Sequence, residues 1–151
     1  MSLLIRGSAS FLAAVLAFSS FGVYAQEQTG EQSETPSAVT SALLADPKVG
    51  DLYAAEVSHF SGVGFNSNSD DGSNVAYGLM KVVNVTRDKV VVITENAAWP
   101  RPQGARNDLR GDLSDITWDE EEKITLYRSE LPSLYSSGKI IEARRISAGR
   151  K

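Results

Sequence analysis

The chain contains no cysteine, although its first residues read as an export signal. That pairing constrains the fold more than any other feature. An exported chain without disulfides has nothing covalent to close its loops, so its folded state must rest on apolar burial. With 42% hydrophobic and 23% charged residues, enough apolar surface is available for one packed core. The same absence excludes thiol nucleophiles, cysteine-ligated zinc and lipid attachment through an N-terminal cysteine. A single histidine, His59, excludes histidine-cluster metal sites and paired-imidazole mechanisms. No cofactor is expected. Small exported eukaryotic domains commonly carry disulfides, so the composition points to a bacterial periplasm or exterior.

The signal occupies residues 1–25. Arg6 is its only charge, residues 11–18 are its apolar centre, and Val23 and Ala25 are the small residues before cleavage at Gln26. The apolar centre is far shorter than the ~20 residues that span a bilayer. No second apolar run follows, so neither a membrane span nor a lipid anchor is expected. Losing Arg6 takes the formal net charge from −4 to −5. Such an acidic chain lacks the clustered Lys and Arg that phosphates demand, so nucleic acid is not an expected partner.

Residues 26–47 read as a flexible acidic and polar linker. Glu27, Glu31 and Glu34 have no basic neighbour there, and too little apolar area is present to offset ordering. Within it, Val39, Leu43 and Leu44 share helical spacing over residues 38–45, and Asp46-Pro47 ends that stretch. From Val49 the pattern turns to strands. The first is expected over 51–60, with Tyr53, Ala55 and Val57 on one face and Leu52, Ala54 and Phe60 on the other. The second spans 75–85 with a bend or bulge at Gly78, and the third spans 90–94 after the turn at 86–89. Pro100 and Pro102 mark irregular backbone, followed by a short helix within 106–115 capped by Asn107 or Asp108. A fourth strand covers 123–128. A helix over 130–137 has Pro132 in its first turn, Ser129 as its cap and Gly138 just beyond it. A fifth strand covers 139–146.

The expected fold is mainly β with one or two short helices. It is a small five-stranded barrel, SH3-like, or OB-like if the helix near Arg106 lies between strands three and four. That domain would span 48–147, with 148–151 as a tail. Fold alone licenses no function.

No serine of residues 26–151 sits in a nucleophile-elbow pattern, and His59 is the single available imidazole base. The loop at 66–72 faintly resembles a calcium loop, but its glycine is one position late and Tyr77 stands where a bidentate acid is needed. Gly62 and Gly64 make a turn and no phosphate cradle. Asp119, Glu120, Glu121 and Glu122 form an acidic run that repels itself and favours solvent, or faces a basic partner. Trp99, Arg101, Arg106 and Arg110 are the strongest binding candidates. Trp and Arg dominate interface energetics, and Pro100 and Pro102 stiffen the loop that carries them. Trp99 also fits a core lid, and Trp118 fits the core. An enzyme would have to pair Glu95 with Asp51 or Glu56, which their spacing does not favour.

The expectation is therefore an exported, non-enzymatic binding module that contacts another envelope or secreted protein. An inhibitor or immunity-type protein using the acidic run is its concrete version. The alternative is a domain for cell-wall glycan, peptide or small ligand, with Trp99 as an aromatic platform.

Overall fold

The computed structural model describes residues 35–62 and 74–146. The stretch read as an export signal with its cleavage point, residues 26–34 of the linker, the calcium-like loop at 66–72 and the tail lie outside those residues. Elements run in the order α1 (Pro36–Ala45), β1 (Leu52–Ala55), α2 (Val57–Ser61), β2 (Gly78–Val85), β3 (Lys89–Thr94), α3 (Pro102–Arg110), β4 (Ile124–Tyr127), a 3-10 turn (Arg128–Glu130), α4 (Leu131–Ser136) and β5 (Ile140–Arg144). The strands form one antiparallel sheet in the order β4-β3-β2-β1-β5.

This sheet is open, which corrects the barrel expectation. β4 and β5 are its two edges and are not hydrogen-bonded to each other. Both faces carry helices. Leu44 of α1 and Leu131 of α4 pack on one face with Tyr53, Ala55, Met80, Val82, Val90 and Val92. Ala105 and Leu109 of α3 pack on the other, against Leu52, Ala54 and Leu79. A sheet with apolar side chains on both faces must be covered on both, and the interior strand β1 is buried at all four residues.

The first strand is shorter than its sequence pattern implies. It ends at Ala55, and Val57–Ser61 turns into α2, closed by Gly62 at φ 69°. His59 is therefore exposed on a helix, set edge-on to Phe60, and does not share a strand face with Tyr53. The β2–β3 hairpin forms as expected, with the Thr86 N–H donating to the Lys89 carbonyl at 2.8 Å. Its register shift falls between Val82 and Asn84, and not at Gly78. That bulge carries Val85 to the same face as Val82.

Pro102 opens α3 instead of breaking it. Proline lacks an N–H, and the first turn of a helix needs none from it. The helix therefore starts four residues before the expected stretch and has no Asn or Asp cap. Pro132 sits in the first turn of α4 in the same way, and Gly138 follows that helix at φ 76°. Ser129 lies in the 3-10 turn and does not cap.

Residues 36–45, read from composition as linker, form α1. Thr35 caps it by accepting from the Ala38 N–H at 3.3 Å, and Pro36 occupies its first turn. α1 lies along β5. There the buried Thr40 hydroxyl accepts from the Ala143 N–H at 3.1 Å, satisfying a donor on the sheet edge. The turn after α1 is tied to the residues after β5 through Asp51. This fully buried carboxylate accepts from Arg145 at 2.6 and 2.8 Å and from the Lys48 N–H at 2.8 Å. Among the described residues no helix is long and apolar enough to cross a membrane.

Candidate functional site

The four candidates around Trp99 are carried by α3 and the segment before it. The Trp99 N–H and carbonyl pair with the Tyr77 carbonyl and N–H at 2.7 and 2.8 Å, which fixes the loop to the start of β2. The indole lies on Gly104, where a Cβ would fall onto its Cγ. Its N–H donates to Asp108 in a short hydrogen bond. Trp99 is thus not sealed in the core, and it is held on one side only. It stays 41% exposed on one side while α3 holds the other. Arg101 is exposed at the head of α3.

Arg106 and Arg110 share one face of α3 because they are a helical turn apart. Both reach Glu142 of β5. Arg110 binds it through two nitrogens at 3.0 and 2.7 Å, and Arg106 touches it at 4.0 Å. The carboxylate beside Arg110 raises the pKa of that guanidinium further. At 4.0 Å, beyond hydrogen-bond reach, Arg106 is the less engaged cation.

Two adjoining depressions meet at Arg106. One, of about 510 Å³, runs between Tyr77, Pro102 and Arg106 on one side and Tyr135, Gly138 and Ile140 on the other. The second, of about 220 Å³, continues past Thr40, Arg110 and Glu142 to Pro36. They share Arg106, Tyr135 and Ile141, and so make one groove along β5 between α3 and the α1–α4 pair. The Tyr135 hydroxyl and Ser37 Oγ are 3.1 Å apart and hydrogen-bonded, which braces one wall. Aromatic, proline and arginine side chains on a fixed frame are what an extended peptide segment needs: apolar contact, little ordering cost and a charge-assisted hydrogen bond. Residue order does not mark Tyr77 or Tyr135 as binding residues. Their separation of 58 positions hides that the fold places them on one groove.

The acidic run is not gathered on one surface. Asp119 folds back, its Oδ1 accepting from the N–H groups of Glu121 and Glu122 at 3.0 and 3.2 Å. Asp119 and Glu122 line one depression, Glu120 lines another with Lys81 and Lys123, and Glu121 is exposed. Trp118 is half-buried against the α3 cluster, with Lys81 Nζ 4.5 Å from its ring centre.

The three acids weighed for a carboxylate mechanism are also kept apart chemically. Asp51 is bound by Arg145, and Glu56 by Lys139 with both oxygens at 2.8 Å. Glu95 is different. It is 7% exposed, its Oε1 accepts from the Leu79 N–H at 2.8 Å, and its Oε2 has no partner. Burial pushes its pKa up to about 7, opposed by that N–H and helped by the charge of Asp108. Gly78 makes the arrangement possible: a Cβ there would lie 3.1 Å from Glu95 Oε1 and 3.2 Å from the Ala97 carbonyl. Among the described residues no three His, Asp or Glu side chains group as metal ligands. Compared with known proteins, the chain matches no family model, no curated protein and no solved structure.

Proposed function

We propose that this chain is an exported, non-enzymatic binding module that grips another envelope or secreted protein through the groove along β5. The single observation that carries this reading is the continuity of two depressions through Arg106, Tyr135 and Ile141. Export is supported by the charge, apolar and small-residue pattern of residues 1–25. A non-enzymatic role is supported by the engagement of Asp51 and Glu56 with Arg145 and Lys139, which keeps both from pairing with Glu95. The element order, with a helical turn before a last strand that pairs with the first, supports kinship with SH3-like domains. An inhibitor or immunity-type role is the most specific version, with the groove and not the divided acidic run as its contact.

The test is capture from envelope extract by the wild-type protein, Arg106→Glu and Glu120→Lys. A specific partner should be retained by wild type and Glu120→Lys and lost with Arg106→Glu. If Arg106→Glu retains the same partner equally well, the groove is not the contact. A second reading, a glycan or small-ligand domain, is favoured by the exposed face of Trp99. In that case Trp99→Ala should abolish retention on peptidoglycan while Arg106→Glu leaves it intact.

A further inference from the structure

On the side of the molecule carrying α2, a depression of about 310 Å³ has a mixed wall. Val57, Ala76 and Ala98 supply small apolar surface, and Glu95, Asp119 and Glu122 supply carboxyl groups. No lysine or arginine lines it among the described residues, and it shares no lining residue with the β5 groove. Glu95 is more than nine-tenths buried, and its Oε1 is committed to Leu79. Oε2 is thereby left buried and with nothing to accept from, in a side chain that lines the depression. A buried acceptor without a donor costs free energy that a bound donor would recover.

We propose that this depression is a binding site for an organic cation, an ammonium or guanidinium group on a short apolar stem, with Glu95 as the acceptor that seats its head. The stem would lie on Val57, Ala76 and Ala98. Asp119 and Glu122 stand at the same depression and add attraction, although Asp119 already serves two backbone N–H groups. Asp115 lines a second depression that Glu95 also borders, and among the described residues neither depression is lined by a lysine or arginine. Such a cation is carried either by a free amine or by a Lys or Arg side chain of a protein.

The two pH behaviours separate this site from an ordinary acidic patch. Glu95 holds its proton near neutrality, because burial and Asp108 both disfavour its charge. A cation must displace that proton, so affinity should rise about 20-fold between pH 5.5 and 7.5 and then level off. Carboxylates with ordinary pKa values are already ionised at pH 5.5 and would give a flat profile.

The experiment is calorimetric titration of the purified protein with cadaverine, agmatine and lysine capped at both backbone ends, at pH 5.5, 6.5 and 7.5. Saturable binding that strengthens with pH, releases a proton and weakens at least tenfold in Glu95→Gln supports the site. Gln keeps the acceptor for Leu79, so that variant should fold. Independently, the carbon-13 shift of the Glu95 carboxyl in wild type should titrate at lower pH when the probe is present. Stronger binding of the free amines assigns a small-molecule ligand, and stronger binding of capped lysine assigns a protein side chain. No saturable binding of any probe, or pH-independent binding that Glu95→Gln leaves unchanged, overturns the proposal.

Discussion

Asp51 and Glu95 are both carboxyl groups inside the domain, 0% and 7% exposed, yet their surroundings are opposite. Asp51 faces a guanidinium that donates twice and a backbone N–H that donates once. Its charge is matched where it is buried, and the result joins the turn after α1 to the residues after β5. Glu95 has one backbone N–H and no cation, so burial falls on its charged form and drives it to keep a proton. Burial alone therefore does not tell a structural acid from a functional one. The partners decide: a matched buried charge holds the fold, and an unmatched carboxyl keeps its proton to higher pH.

The largest effect should come from breaking the matched acid. Arg145→Met would strand the Asp51 carboxylate and cost about 3–5 kcal/mol in urea denaturation. Replacing Asp51 by Leu in that background should restore most of the loss, because the cost lies in the orphaned charge. A loss below about 1 kcal/mol would mean that water reaches Asp51 and that the contrast with Glu95 is false.

The second effect is a pH slope. The folded state holds the Glu95 proton up to about pH 7, and the unfolded chain releases it near the ordinary 4.5. The native state thus binds the proton more tightly, and stability falls as pH rises through that window and is flat above it. The loss is on the order of 3 kcal/mol at most. Glu95→Gln should remove this slope in thermal melts between pH 5 and pH 8. A variant that keeps the wild-type slope would assign the proton to another group.

Smaller changes sharpen the comparison. Gly78→Ala should cost about 1–2 kcal/mol, because the new methyl meets the Ala97 carbonyl and Val57 as well as Glu95, and backbone cannot step aside. It should also alter the Glu95 titration, which carboxyl carbon-13 shifts would follow. Lys139→Met tests an intermediate case: Glu56 and Lys139 are paired but 15% and 32% exposed at their side chains. The loss should be about 1 kcal/mol or less and should shrink in 0.5 M salt, as solvent-screened pairs do.

Much of the local structure is legible from residue order. Alternation over 90–94 and the turn at 86–89 specify the hairpin. Pro132 and Gly138 bracket α4, and Val39, Leu43 and Leu44 announce α1. What escapes reading is set by contacts distant in sequence. Val57 and Phe60 suit a strand or a helix equally, so the end of β1 is decided by packing of α2. Pro102 reads as a breaker until the helix that starts on it is seen. Closure of a barrel depends on whether the edge strands meet, and no local pattern encodes that. The groove is legible in part: Arg106 and Arg110 stand out at helical spacing, but Tyr77 and Tyr135 join them through the fold alone. Nothing local marks Glu95 as buried: it directly follows β3, and its burial is set by the Leu79 N–H and by Gly78 across the sheet.

The Thr40 hydroxyl on the Ala143 N–H has a consequence for the solution behaviour of the protein. An exposed strand edge is a template on which another chain can add. α1 lies along the β5 edge and removes one of its donors, while β4 presents an edge of four residues, too short for extensive pairing. A proteolytic cut near Asp46-Pro47 that released α1 would uncover both Leu44's site and the edge beside it. The remaining sheet would then present a free edge on which a second copy can add, and light scattering of the cut protein would register that association.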